Sequence, residues 1–183
     1  MVEAHSTSLY VPSGKGILYI APWSGTTPPG ANDYVEIGNC PSIEIEPTVE
    51  RRPHYSSRSG LKTKDLDPII SMEYNINFDC DEIAAKNLAY FFLGSISGNT
   101  ISAMATPDAE YALKFVADNP IGPNFTYEFW RCTIGPNGPI QLIGDDYLVL
   151  SFSASGLSDT TNHASSPYFD ITYVTTTTTT TTA

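Results

Sequence analysis

Apolar and polar residues alternate along most of this chain, which is the pattern of strands that bury one face. In residues 42–50, Ile43 and Ile45 alternate with Glu44 and Glu46. A second series follows in 68–78, where alternate positions are all apolar: Ile70, Met72, Tyr74, Ile76 and Phe78. Each segment therefore predicts a strand with one face in the core and the other in water.

Further strands are predicted where short apolar or β-branched runs lie between turns rich in Pro and Gly. They cover residues 16–21, 34–39, 110–118, 124–134, 139–144, 146–156 and 167–175. The predicted fold is mainly β: a two-sheet β sandwich or partly closed barrel of roughly eight strands, with one helix on its flank.

A helical period is present only near residues 80–94, which predicts a helix over 81–93. Ile83, Leu88 and Phe91 or Phe92 would form its buried stripe. Asp79 or Asp81 would cap the first N–H groups, and Gly94 would end the helix. A glycosidase could use Asp79, Asp81 and Glu82 as an acid and base, but helix capping is the favoured interpretation of these carboxylates.

The length of the chain fits one domain, predicted over residues 1–174. A run of threonines follows, giving a Thr-rich tail over 175–183. Low-complexity tails are disordered by default, although threonine is β-branched. We expect a neighbouring molecule to hold this tail as an edge strand.

Charge is distributed very unevenly. The chain has 9 Lys and Arg against 20 Asp and Glu, a formal net charge of −11, which argues against nucleic acid as a bound ligand. Five of the cations lie within fourteen residues, inside a segment we call the arm (residues 50–67). A cationic arm on an anionic body is complementary to another copy of the same body, so the sequence predicts a head-to-tail contact.

The arm joins two consecutive predicted strands, and its polar middle cannot bury much apolar surface. We therefore expect a long structureless connection with a function. The predicted contact residues are Arg51, Arg52, His54, Tyr55, Ser56, Ser57, Arg58, Gly60, Lys62 and Lys64.

Motifs for catalysis or cofactor binding were not found in the sequence. The three histidines form no HExxH, and neither a GxSxG turn nor a complete phosphate-binding loop is present, so no enzyme activity, metal or cofactor is predicted. Cys40, Cys80 and Cys132 are widely spaced and predict buried free thiols. We also expect no secretory signal and no membrane span.

Three segments together resemble the tail tube protein (major tail protein) of long-tailed bacteriophages. They are the arm with its preceding strands, "YVEIGNCPSIEIEPTVERRPHYSSRSGLKTKDLDPI"; the helical segment "FDCDEIAAKNLAYFFLG"; and, late in the chain, "SFSASGLSDTTNHASSPYFDI". They share with that family a GN turn, an H-[FY]-S-S-x-x-G arm and a helix ending in LG.

This resemblance implies a structural virion protein, assembled in the host cytoplasm into hexameric rings that stack as a tube. The arm would contact the adjacent ring. Double-stranded DNA would pass through an acidic lumen without specific binding, and the other partners would be tape-measure, tail-terminator and baseplate or tail-tip proteins. Alternative interpretations are the tube protein of a contractile secretion or bacteriocin machine, or a carbohydrate-binding β-sandwich module that uses the abundant aromatic residues.

Overall fold

A computed structural model describes residues 10–11, 14–58 and 60–174 of the chain. The predicted Thr-rich tail at 175–183 lies outside the described residues, as does Ser59 of the arm.

Twelve strands and one helix make up the described part of the chain. The strands are β1 Gly16–Trp23, β2 Val35–Glu36, β3 Ser42–Arg51, β4 His54–Ser56, β5 Thr63–Leu66, β6 Ile69–Cys80, β7 Ser95–Ser97, β8 Thr100–Ser102, β9 Glu110–Ala117, β10 Asn124–Pro136, β11 Leu150–Gly156 and β12 Phe169–Val174; the helix is α1 Ala85–Phe91.

Eight strands form one antiparallel sheet in the order β2-β1-β9-β10-β11-β6-β3, with β12 added on β10. The long β10 pairs with β12 along its first half and with β11 along its second half. β4 with β5, and β7 with β8, form two further antiparallel sheets. The predicted mainly β architecture with one helix is confirmed, as several antiparallel sheets that do not close into a barrel.

The core lies against one face of the large sheet and is rich in aromatic rings. Phe78 of β6 stacks on Phe152 of β11 with ring centroids 4.8 Å apart. Phe91 of α1 meets the same Phe152 edge-on at 5.6 Å, so the helix covers this end of the sheet. Ile76 and Leu113 are completely buried. The prediction that aromatic side chains in alternating strands serve the core is correct for these rings.

The predicted start of the helix was wrong. α1 begins after Ala84, which makes no side-chain capping bond, and its first turn holds no acidic residue. Asp79 instead belongs to β6, where it accepts a hydrogen bond from Ser151 at 2.6 Å. Asp81 accepts both of its bonds from Asn39. Pairing with β11 continues to the end of β6 and holds Asp79 in the sheet, while Asp81 is bonded to the loop before β3, so neither carboxylate caps the helix.

The helix ends close to the predicted position, but Leu93 rather than Gly94 adopts the left-handed conformation, with φ of 49°. Gly94 N–H then donates to Ala89 O at 2.8 Å, and Leu93 N–H to Tyr90 O at 3.2 Å, the pattern of a Schellman motif. Glycine is still required at 94, because a Cβ there would lie 2.6 Å from the carbonyl oxygen of Ser102.

The buried face of α1 consists of Asn87, Ala89 and Phe91. The predicted stripe is therefore correct at Phe91 and partly correct at Leu88, which is half-buried against the core. It is wrong at Ile83, which is exposed and precedes the helix.

The predicted strand at 139–144 is absent, and the one predicted at 146–156 begins only at Leu150. Pairing of β10 with β11 stops at Pro136, so the residues between these strands have no ladder to join. Of the predicted strand 34–39, only Val35–Glu36 is paired. The short β7 and β8 were not predicted.

Candidate assembly interface

The arm is a β-hairpin, not the structureless connection that we expected. β4 pairs with β5 through Tyr55 with Lys64 and Ser56 with Thr63, with an irregularity next to His54. Arg52 N–H donates to Pro68 O at 3.0 Å, so the hairpin extends directly from the β3–β6 pair. Residues 57, 58 and 60–62 lie in its tip.

Side-chain contacts within the hairpin compensate for its small size, since an isolated pair of short strands is marginally stable. His54 Nδ1 lies 2.6 Å from Asp65 Oδ1. Lys64 Nζ lies 2.5 Å from an Asp67 carboxylate oxygen. Lys62 Nζ lies over the Tyr55 ring, 5.6 Å from its centroid. These contacts hold the arm in an extended, defined shape.

The five cationic side chains of the arm differ in their contacts. Lys64 is ion-paired within the arm, and Arg51 donates to the carbonyl oxygen of Asp67 at 3.2 Å. Within the described part of the chain, no side-chain partner was found for Arg52 or Arg58. Both guanidinium groups are on exposed residues and are available to another molecule.

The structure places all ten predicted arm residues in this one projecting element. Arg51 ends β3; His54, Tyr55 and Ser56 form β4; Ser57, Arg58, Gly60 and Lys62 lie in the tip; Lys64 is in β5 and Arg52 links β3 to the hairpin. All are exposed except Ser56, which is half-buried.

An apolar stripe on the β3–β6 pair leads from the core toward the arm. Val49 and Met72 are cross-strand partners, and each is 51% exposed. Ile70, which lies on the same face as Met72, is also exposed, as is Leu66 of the arm. The core-facing side of these strands thus continues past the body of the protein, where no described part of the chain covers it.

The opposite face of the same strands is acidic. Glu44 and Glu46 of β3 pair with Asn77 and Asn75 of β6. The same two asparagines pair with Ser153 and Ser155 of β11, so this polar face spans three strands. Farther toward the arm, this face carries Glu50. Arg51 is the single Lys or Arg in the sequences of β3, β6 and β11. The face therefore combines acids with small neutral polar side chains.

β3 is the last strand of the large sheet in the described part of the chain. It pairs with β6 on one side over its ten residues. Its other side offers backbone N–H and C=O groups without a strand partner among the described residues. Unpaired strands of this length are templates for pairing with another chain.

A cleft of about 620 Å³ opens between β1 and β3. Cys40 contributes to its wall, and its thiol is hydrogen-bonded to that of Cys80. This bond lowers the pKa of Cys80 and raises the pKa of Cys40, while burial raises the pKa of Cys132.

The prediction of free, buried thiols is correct for Cys80 and Cys132, whereas Cys40 is only half-buried. Sequence spacing gave no sign of the Cys40–Cys80 contact.

The described residues do not form a recognisable catalytic centre. No group of three or more His, Cys, Asp and Glu side chains among them could hold a metal ion. The carboxylates of Asp79 and Asp81 are bonded to Ser151 and Asn39. His54 and His163 each contact a different aspartate.

No helix within the described ranges is long and apolar enough to cross a membrane.

Two solved structures are similar to this chain at low sequence identity. One is the tube-terminating cap of the anti-feeding prophage, at 8% identity and a TM-score of 0.47, covering 94% of this chain and 97% of that chain. The other is a chain of the PVC sheath–tube complex, an extracellular contractile injection system in its extended state, at 9% identity and a TM-score of 0.43, covering 93% of this chain and 100% of that chain.

No curated protein matches the chain. A family model matches residues 11–100 and 96–172, which is most of the sequence. The chain therefore belongs to the family described as "Protein of unknown function UCP028589".

Proposed function

We propose that this protein is a structural subunit of a phage-type tail tube, without enzymatic activity, that assembles with copies of itself into hexameric rings and stacks of rings. The observation that carries the proposal is the projecting end of the β3–β6 pair. There an uncovered apolar stripe leads into a cationic hairpin on an otherwise acidic chain. The hexameric symmetry rests on the resemblance of the sequence to tail tube proteins.

The stripe supports self-association because its side chains gain stability only if another molecule covers them. Burying apolar surface stabilises by about 25 cal/mol per Å². Val49, Met72 and Ile70 are each roughly half exposed in the single chain. A stable protein interface buries about 1,200–2,000 Å² in total, so the stripe would form the apolar centre of a larger contact.

The free side of β3 supports lateral contacts within a ring. A strand from the neighbouring subunit can pair with it and extend the sheet from one subunit to the next. Closure of the ring would then leave no free strand edge, which removes the aggregation hazard of an unpaired β3.

In such a ring, the acidic face that includes Glu44 and Glu46 would line the lumen. Carboxylates repel DNA phosphates, and neutral Asn and Ser side chains offer no cation to retain them. Double-stranded DNA could therefore move through without being bound. The tape-measure, tail-terminator and baseplate or tail-tip proteins are the remaining expected partners, in a tail assembled in the host cytoplasm and located in the virion.

Electron microscopy and sedimentation of the purified full chain test this function. We expect rings or tubes on the order of 10 nm across, from six domains of this size around a hole. A chain that stays monomeric at high concentration, also when tail-initiation proteins are added, would contradict the proposal.

A further inference from the structure

The loop between β10 and β11, residues 137–149, contains large apolar side chains that are almost fully exposed to solvent. Leu142, Ile143 and Tyr147 are 78%, 92% and 95% exposed. Clusters of exposed apolar side chains on a soluble protein mark interaction sites. Leu142 and Ile143 belong to the segment predicted as a strand at 139–144, but, unlike Ile140, they do not pack against the core.

The same loop is acidic. Asp145 and Asp146 lie between Ile143 and Tyr147, and residues 137–149 contain no Lys or Arg. The surface therefore joins apolar contact area to negative charge, which is the complement of the arm. The arm offers exposed apolar side chains at Tyr55 and Leu66 together with unpartnered guanidinium groups.

The loop and the arm lie at opposite ends of the same strands. The arm precedes Ile69, the first residue of β6, whereas the loop leads into Leu150, which pairs with Cys80 at the last residue of β6. These ends are eleven residue steps apart along β6, which is about 36 Å at ~3.3 Å per residue. The arm of one chain therefore cannot reach its own β10–β11 loop. A second copy, displaced along the strand direction, can place its β10–β11 loop against that arm.

An apolar cleft of about 260 Å³ lies beside the start of the loop, between the end of α1 and the end of β10. Its walls include Phe92, Met104, Pro136 and Ile140. A large apolar side chain from another molecule could enter it without a polar group losing its hydrogen bonds.

We propose that the β10–β11 loop and this cleft form the surface that receives the arm of the next copy in the stack. The partner is a second copy of this chain, with Arg52 and Arg58 facing Asp145 and Asp146, and with an exposed apolar residue of the arm in the cleft. The contact is head-to-tail, so it repeats along an axis without closing. This assignment rests on the proposed tube function, which it extends by naming the receiving surface.

Charge exchange between two variants tests the pairing. Variant one carries Arg52→Glu and Arg58→Glu, and variant two carries Asp145→Lys and Asp146→Lys. Alone, each presents like charges across the contact, and we expect about tenfold less sedimentable polymer at low salt. In an equal mixture, every contact between the arm of one variant and the loop of the other has opposite charges again, so polymer should return toward the wild-type level.

A matched control carries Asp118→Lys and Asp170→Lys, which make the same charge change at exposed residues outside the loop. It should polymerise like the wild type. If wild-type chain forms tubes and variant two does so equally well, or if the mixture does not restore polymer, the loop is not the receiving surface although the tube function stands. A wild-type chain that never associates overturns both.

Discussion

The ring of Tyr74 on β6 lies directly against Gly156, the last residue of β11. A Cβ added to Gly156 would be 2.0 Å from Cε1 of Tyr74. The Tyr74 ring also contacts Phe129 and Phe169, with centroids 5.7 and 5.2 Å away. Toward the arm, the next residue on the same face is Met72, which is half exposed. The Tyr74–Gly156 contact therefore marks where the core ends and the projecting apolar stripe begins.

Substitution Gly156→Ala should destabilise the protein, because the added methyl must displace a ring that is packed on several sides. We expect a loss of about 1–3 kcal/mol in the free energy of unfolding, measured by urea denaturation. Gly60→Ala is the matched control, since a Cβ at Gly60 meets nothing within 4 Å. Its effect should remain within about 0.5 kcal/mol. Equal losses for the two variants would contradict this description of the contact.

Asn87 is a second predicted determinant of stability. It is fully buried, and its amide donates to Ile37 O at 2.7 Å and to Glu82 O at 2.8 Å. Asn87→Ala would remove the shortest hydrogen bond to each carbonyl group. Glu82 O keeps the bond from Ala84 N–H at 3.0 Å, whereas Ile37 O keeps only a 3.9 Å contact with the Cys80 thiol, so we expect a loss of about 1–3 kcal/mol.

Leu88→Ala is the comparison, since the neighbouring Leu88 is only half-buried. Its loss in the free energy of unfolding should be smaller than that of Asn87→Ala and below the ~2–5 kcal/mol of a fully buried leucine. A larger effect at Leu88, again by urea denaturation, would show that the helix depends mainly on apolar packing.

The alternating pattern predicted most strands because, in each strand, the apolar side chains lie on the face that is buried. It could not show where the core stops: Ile70, Met72 and Ile76 look equivalent in sequence, yet only Ile76 is fully buried. That difference depends on which other strands cover each position. For the same reason, the apolar run at 139–144 resembled a strand although it has no strand to pair with.

The helix and the arm show a second limit of sequence patterns. Acidic residues before a helix are typical of caps, but Asp79 and Asp81 are bonded to residues distant in sequence, Ser151 and Asn39. In the arm, the cations were evident from the sequence. The hairpin was not, because its strands are short and its contacts, such as His54 with Asp65, cross the turn.

Charge on the arm should control stacking but not folding. Reversal at Arg51, Arg52 and Arg58 to Glu changes only exposed residues, so the thermal unfolding midpoint should stay near that of the wild type. Long tubes should be lost, because the cations that oppose repulsion between acidic rings are gone. Salt should weaken wild-type stacking in the same direction by screening. Electron microscopy at low and high ionic strength measures both effects.

The corresponding triple change to Lys keeps the charge and serves as the control. It should still form tubes at low salt. Normal long tubes from the Glu variant would show that the arm does not hold successive rings together.

The Cys40–Cys80 contact predicts selective oxidation. Cys40 borders the open cleft whereas Cys80 is fully buried, so a small disulfide such as oxidised glutathione should form its mixed disulfide at Cys40. This step should be slow, because the raised pKa of Cys40 leaves little thiolate to attack. The Cys80 thiolate, favoured by its lowered pKa, then attacks the Cys40 sulfur and releases reduced glutathione. Peptide mapping should find a Cys40–Cys80 bond and a free Cys132, which is fully buried. In Cys80→Ser the mixed disulfide should persist, and a bond to Cys132 would contradict the mechanism.

Acid should loosen the segment that follows β11 by protonating Asp159. Burial raises the pKa of Asp159, but hydrogen bonds from His163 and Asn162 outweigh it, so the pKa lies below its usual value. The carboxylate therefore contributes stability that is present above its unfolded pKa of about 4 and is lost as pH falls through the lower folded pKa. His163 stacks on Trp130 at 3.8 Å, so tryptophan fluorescence should report the change. Asp159→Asn should lack this acid transition; an unchanged fluorescence titration in that variant would rule out Asp159 as its origin.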